Sequence, residues 1–309
     1  MKEHELIELL SRHMPRSADQ VNGLFESDAE ILRFGDRYLL FSTDEFSDED
    51  LFSTKDPYAL GRNIACAAIS DILASGGRPL YYAHSLTVDS RFDKRYMERF
   101  AAGVGDVLKA GEIGFIGGDF GRSESWRCCA SVIGMTDQPI RRSGARPGDH
   151  IYLTGPVGAG NMQAALGLYH VPFTGLIPGF TLRLDALDDI RRHATSCIDT
   201  SDGLFQSVKM LARMSKTGFA ITDIPYAKGG TMLAKLTGLP REMLAFCECG
   251  EYELLFTSPD ELPYLNIGRM TTSGMSVGGK DVSHIDLSAR SHQDLKAYLK
   301  EVKEICEEL

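Results

Sequence analysis

The chain has 309 residues, 43% of them hydrophobic, and carries 33 Lys plus Arg against 43 Asp plus Glu for a formal net charge of -10. That length suits two ordinary domains or one large one, the hydrophobic fraction is enough for buried cores, and the acidic balance supplies no global field for nucleic acid or an anionic membrane. Seven cysteines scattered through the chain point to reduced thiols in the cytoplasm, the opening Lys2-Glu-His-Glu-Leu-Ile-Glu8 is too acidic for a signal peptide, and no apolar run approaches membrane-spanning length.

Leu6, Leu9 and Leu10 among charged neighbours predict a short amphipathic helix over 2–14, closed by Pro15. Asp28 then stands ahead of a hairpin whose turn is Phe34-Gly-Asp-Arg37, with Gly35 suited to the first central position of a type II′ turn. The return strand, Tyr38 to Thr43, is expected to end on Asp44. Asp56-Pro57 starts a helix, the Asp accepting from free N–H groups and the Pro losing no needed donor, and Leu60, Ile64, Ala68 and Ile72 form its buried stripe. Gly76-Gly77 and Pro79 end it. Asp71, beside that stripe near the helix C-terminus, gains nothing from a dipole that favours cations there and invites a metal or a hydrogen-bond partner.

A strand over 80–88 and a helix over 93–110 follow, and then Ile113 to Ile116 reads as a strand that stops at Gly117-Gly118 and hands Asp119 to a cleft. Trp126, Cys128, Ala130 and Val132 alternate along the next strand, which puts the adjacent Cys128 and Cys129 on opposite faces and makes them a poor metal pair. The polar connector Arg141-Arg-Ser-Gly-Ala-Arg-Pro-Gly-Asp149 marks a boundary between domains at 1–147 and 148–309. Beyond it a strand runs into Gly155-Pro-Val-Gly-Ala-Gly160 and a helix, an arrangement that serves either anion binding or tight strand-helix packing. Cys197-Ile-Asp-Thr-Ser-Asp-Gly-Leu204 opens another helix, capped by Thr200 or Ser201 with Asp202 in its first turn, while Asp199 has no such explanation. In Phe246-Cys-Glu-Cys-Gly-Glu-Tyr-Glu-Leu-Leu-Phe256, a Gly250-Glu251 step precedes a strand, and Cys247 with Cys249 lack a second pair at zinc spacing. A final helix is expected from His292, with Leu295, Tyr298, Leu299, Val302 and Ile305 on its buried face.

Asp28, Asp44, Asp71, Asp119, Asp199 and Asp202 thus recur beside small residues at the ends of apolar elements. If several share a cleft, their repulsion must be relieved by hard cations such as Mg²⁺. The chain has neither a Gly-x-x-x-x-Gly-Lys-Ser/Thr loop nor a His-Arg-Asp signature, so an ATP enzyme built this way would grip phosphates through metals.

The ordered set Ser42-Thr-Asp44, Ser70-Asp-Ile-Leu-Ala-Ser-Gly-Gly-Arg-Pro79, Gly117-Gly-Asp119, Arg142-Ser-Gly-Ala-Arg-Pro-Gly-Asp149, Asp199-Thr-Ser-Asp-Gly-Leu204 and Gly250-Glu-Tyr-Glu-Leu-Leu-Phe256 resembles thiamine-monophosphate kinase, of the aminoimidazole ribonucleotide (AIR) synthetase superfamily. The resemblance implies an α+β fold of two AIR synthetase-like domains, an N-terminal sheet domain that forms a homodimer and a C-terminal α/β domain. It implies Mg²⁺ and ATP as cofactors, with Asp28, Asp44, Asp71, Asp119 and Asp202 as metal ligands and Asp119 and Asp202 central to catalysis. Gly117, Gly118, Arg62 and Arg146 would accompany Asp119 at the nucleotide, and Asp199, Glu251 and Tyr252 would face a small, phosphorylated acceptor. The chain departs from the family pattern at Ser27, where an aspartate is expected, at Phe120 in place of a threonine, and in Glu248-Cys-Gly-Glu-Tyr-Glu-Leu254 against Gly-Gly-Glu-Asp-Tyr-Glu-Leu. Related selenophosphate synthetases carry an N-terminal Cys, whereas Cys66 is the first here, and the hydrogenase-maturation dehydratase needs a terminal Cys, whereas Cys306 is followed by Glu-Glu-Leu. The alternatives are a diverged ATP-using relative with another substrate and a non-catalytic nucleotide-binding homodimer.

Overall fold

The computed structural model describes residues 3–50, 56–169, 179–287 and 295–309. After a first helix, α1 (Glu3–Ser11), the expected hairpin forms from β1 (Glu30–Phe34) and β2 (Arg37–Ser47). Phe34 pairs with Arg37, and Gly35 at φ +64° makes the turn. Asp56 accepts the Tyr58 N–H at the start of α2 (Pro57–Ala74), and Asp93 does the same for Tyr96 at the start of α3 (Lys94–Ala110). Between and after these helices lie β3 (Arg78–Asp89), β4 (Gly114–Ser123) and β5 (Arg127–Thr136). The first sheet has the order β1-β2-β5-β3-β4. Its pairs are antiparallel except β3 with β4, which α3 connects as a parallel crossover.

Two strands outrun their expected ends. β2 continues to Ser47 because β5 pairs with it all the way to Arg127, so Asp44 sits inside the strand and not at its tip. β4 continues through Asp119 to Ser123 because β3 offers ladder partners along its length. Gly117-Gly118 is therefore an irregularity within an edge strand rather than a turn, and the register shifts there. A Cβ on Gly118 would lie 1.7 Å from the His84 carbonyl oxygen, which explains the glycine.

The second half contributes β6 (His150–Leu153), α4 (Ala159–Tyr169), α5 (Leu187–His193), β7 (Ser196–Asp199), α6 (Gly203–Ser215), β8 (Gly218–Ile221), α7 (Gly230–Thr237), α8 (Met243–Phe246), β9 (Leu254–Ser258), β10 (Leu265–Thr271), β11 (Met275–Val277), β12 (Lys280–Asp281) and α9 (Leu295–Glu308). Its sheet has the order β12-β11-β8-β10-β6-β9-β7. Tyr298 and Val302 of α9 are buried as expected, while His292 lies outside the described residues.

The two sheets meet over α2. Its residues from Ile64 to Ile72 are buried apart from Asp71, and the helix packs on β2 and β5 of the first sheet and on β7 and β9 of the second. One apolar cluster accordingly joins Ile64, Ile72 and Val132 to Tyr152 and Phe256. A helix shared in this way can hold a side chain at the junction of both halves. α2 also crosses α3 at close range through two glycines: a Cβ on Gly61 would meet the Phe100 carbonyl oxygen at 2.2 Å, and one on Gly103 the Tyr58 carbonyl oxygen at 2.1 Å. Gly103→Ala is expected to destabilise the fold by about 1–3 kcal/mol through overpacking, read as a lower urea midpoint at unchanged m-value. An unchanged midpoint would mean that the crossing is not tightly set.

Candidate functional site

Asp71 leaves α2 where the helix approaches β2 and the C-terminal end of β7. There it meets Asp28, from the loop before β1, and Asp199, the last residue of β7; each offers an oxygen, all within 4.8 Å of one another. Asp44 on β2 borders Asp71. Serine hydroxyls orient the group: Ser42 donates to Asp71, Ser70 to Asp199 Oδ2 at 2.5 Å and Ser201 to Asp199 Oδ1 at 2.7 Å. A Ser at 42 or 70 adjoins its Asp in sequence or in space, so these donors come from the same motifs as the acids.

So many buried acids cannot all be ionised without counter-charge. Burial first, and then the neighbouring carboxylates, raise Asp28 to about 6 and Asp44 to about 7, and push Asp71 well up. Asp202, at the N-cap position of α6 beside Asp199, is raised by the same two causes. Among the described residues, the one cation placed against the group is Arg142, whose guanidinium is 2.9 Å from Asp28 Oδ1. Burial opposes its charge, but Asp28, Asp199 and Asp71 together hold it protonated. Asp28 Oδ2 and Arg142 Nε remain buried with no hydrogen-bond partner among the described residues. Acceptor-only oxygens, an unsatisfied one among them, form a donor set suited to a hard divalent cation.

Other residues singled out from the sequence stand elsewhere. Asp119 is exposed and pairs across β3 and β5 with Ser85, Cys129 and then Glu45, the neighbour of Asp44 on the opposite face of the sheet. Three strand spacings, roughly 14 Å, separate it from the β2 acids within one chain. Gly117 and Gly118 share that position on β4. Arg146 is exposed in the turn its N–H closes on Asp149, so the connector's contribution to the acids is Arg142, four residues earlier. Arg62 is nine residues before Asp71, roughly 13 Å along the axis of α2. Tyr252 is half-buried, its hydroxyl is pushed well up by burial and by the charges of Asp199 and Asp44, and its ring lies 5.1 Å from that of Phe180. Its φ of +60° is the left-handed region that a tyrosine avoids.

Glu251 points away from the acids and into the chain. It is 4% exposed, accepts the Gly158 N–H at 2.6 Å and the Thr200 hydroxyl at 3.2 Å, and burial pushes it up to about 8. The glycine loop before α4 thus has its hydrogen-bond acceptor already, from within. Sequence reasoning missed Arg142 and the three serines. The signal for Arg142 was present in Arg142-Ser-Gly-Ala-Arg146, but nothing along the chain says which arginine turns inward.

Residues 26–136 match the family model described as AIR synthase related protein, N-terminal domain. The thiamine-monophosphate kinase of Halobacterium salinarum is 31% identical over 209 residues, 66% of this chain and 70% of that protein, and that of Leptospira interrogans is 30% identical over 75% of this chain and 80% of its own length. The chain belongs to the thiamine-monophosphate kinase family. Among solved structures, AaThiL complexed with AMPPCP and TMP covers 91% of this chain and 94% of its own, at a TM-score of 0.78 and 26% identity. The family's two-domain α+β architecture, an N-terminal sheet followed by a C-terminal α/β half, is the one seen here, and the hydrogenase maturation protein HypE shares the fold at 18% identity and a TM-score of 0.69.

An aspartate whose pKa is raised on folding stabilises the fold while protonated and loses that contribution as pH rises through its folded value. For Asp44 the window runs from the ordinary 3.8 to about 7. In EDTA, Asp44→Asn is therefore expected to gain thermal stability relative to wild type as the pH is raised from about 5 to 8. Parallel melting curves across that range would count against a buried, charge-starved Asp44.

Proposed function

We propose that the chain is a Mg²⁺- and ATP-dependent phosphotransferase of the thiamine-monophosphate kinase type, which moves the terminal phosphoryl group of ATP to a small phosphorylated metabolite. The observation that carries this reading is the convergence of Asp28, Asp71 and Asp199 at the meeting of the two halves. With Asp44 and Asp202 beside them, these residues would hold Mg²⁺, which supplies charge neutralisation for the polyphosphate. Ser42, Ser70 and Ser201 fix the carboxylate rotamers, and Arg142 keeps Asp28 ionised and aimed. An acceptor phosphate monoester, with a second pKa of about 6, is mostly ionised at neutrality and needs placement more than a general base.

Asp119 enters this reading through a second copy of the chain. The face of the first sheet turned away from α2 carries the half-buried Leu39, Phe41, Ile133 and Met135 and the 47%-exposed Tyr81, in adjacent rows. A continuous apolar sheet face of this kind is buried in stable proteins, and a two-fold pairing would bury it. Asp119 opens on the same face, so in a homodimer it stands to serve the partner's cleft. The acceptor side differs from the family pattern at Gly250, where a Cβ would lie 1.5 Å from the Thr200 carbonyl oxygen, leaving no room for the expected glutamate.

A second reading, a nucleotide-binding homodimer without turnover, draws on Ser27. Where the family pattern has an aspartate, this hydroxyl is buried and donates to the Ala29 carbonyl at 2.5 Å, offering no ligand. Calorimetry separates the first step from the second: Mg-ADP is expected to bind wild type in a Mg²⁺-dependent manner with proton release, and Asp71→Ala to weaken binding about tenfold or more. Binding indifferent to both would remove the metal site. ADP release with a panel of phosphate monoesters, thiamine monophosphate first, then decides between the readings. Phe41→Asp is expected to yield a monomer by sedimentation. A 1:1 mixture of Asp71→Ala and Asp119→Ala chains should regain about a quarter of wild-type turnover if Asp119 acts across the dimer, and none if it acts within its own chain.

A further inference from the structure

Three stretches far apart in sequence are pressed together backbone to backbone in the second half, each at a glycine. A Cβ on Gly160 would lie 2.1 Å from the Gly250 carbonyl oxygen, one on Gly250 1.5 Å from that of Thr200, and one on Gly203 2.3 Å from that of Cys247. The contacts join the glycine loop ahead of α4, the Asp199-Thr-Ser-Asp-Gly203 segment and the Cys247–Glu253 segment. Hydrogen bonds close the same joint: Gly250 N–H donates to the Ser201 carbonyl at 3.0 Å, Thr200 N–H to the Glu253 carbonyl at 2.9 Å and Glu253 N–H to the Thr200 hydroxyl at 3.0 Å.

Glu251 sits at the centre of this joint, binding Gly158 N–H on one side and Thr200 on the other. Its carboxyl therefore spans the N-terminal end of α4, where free N–H groups favour an acceptor, and the residue next to Asp199. Thr200 is 0% exposed, and its hydroxyl donates to Glu251. We infer that Glu251 is a positioning residue: it contacts neither nucleotide nor acceptor, and it fixes Asp199 and Ser201 in the acidic cluster by tying Thr200 to the glycine loop. The next residue, Tyr252, holds a left-handed backbone at φ +60° directly after the inward-turned Glu251.

The inference rests on reading Asp199 as part of the metal-nucleotide site, so its test begins with a measurement that needs no ligand. Hydrogen exchange of the full chain is followed over residues 155–162 and 196–205 in wild type, Glu251→Ala and Glu251→Gln. The alanine variant is expected to exchange faster in both segments, and the glutamine variant, which keeps an acceptor for Gly158, to restore protection. Should the alanine variant fail to fold, Glu251→Asp, with its carboxyl drawn back by one methylene, replaces it and is expected to loosen the same segments. In calorimetry with Mg-ADP the loosened variant should bind roughly tenfold or more weakly, with Glu251→Gln close to wild type. Unchanged exchange over 196–205 overturns the inference, as does a variant that keeps its Mg-ADP affinity and only raises the acceptor KM, the signature of a substrate contact. If wild type binds no Mg-ADP, the proposed function fails and the exchange data alone decide the role of Glu251.

Discussion

Like charges taken out of water together are the constraint from which the junction of the two halves follows. Asp28, Asp44, Asp71 and Asp199 come from a loop, a strand of the first sheet, the shared helix and a strand of the second sheet. Burial first penalises the ionised forms of Asp28, Asp44 and Asp71, and the charges of neighbouring carboxylates raise them further. One guanidinium cannot offset them all: Arg142 donates to Asp28 and to the Phe25 carbonyl, and among the described residues it makes no hydrogen bond to Asp44 or Asp71. Burial without further counter-charge favours the protonated forms of Asp28, Asp44 and Asp71, and a divalent cation bound there would compete with those protons. The rigidity this demands is supplied by α2, packed on both sheets and crossed by α3 at glycine contacts.

Local features were legible in the sequence wherever one segment decides its own conformation. The Gly35 hairpin, the Asp56-Pro57 and Asp93 helix starts and the Trp126–Val132 alternation all depend on neighbours within a few residues, and all are present. The acidic set was legible as candidates because Asp71 and Asp199 sit where capping and dipole effects offer no reason for a carboxylate. What sequence does not carry is which way a strand's next residue faces once another strand extends it. β5 and β3 prolong β2 and β4 past Asp44 and Asp119, and that extension sets the two acids on opposite faces of one sheet. The choice between Arg142 and Arg146 likewise depends on where the connector meets the loop of Asp28, a contact between residues 114 apart.

The departures from the family pattern share a physical character. Ser27 gives up a possible ligand and closes the turn that carries Asp28, whose next residue, Ala29, donates its N–H to the Ser75 hydroxyl at 2.9 Å. Gly250 gives up a carboxylate and lets its segment press against Thr200. In both cases the residue present makes close local packing beside one of the buried aspartates: Ser27 next to Asp28, and Gly250 against Thr200, which follows Asp199. The acids that remain are those at the meeting of the sheets, while the changes fall on the segments beside them. Those neighbouring segments can vary while the burial of Asp28, Asp44 and Asp71 at the junction still demands a counter-charge, which is why the acids and the segments beside them need not change together.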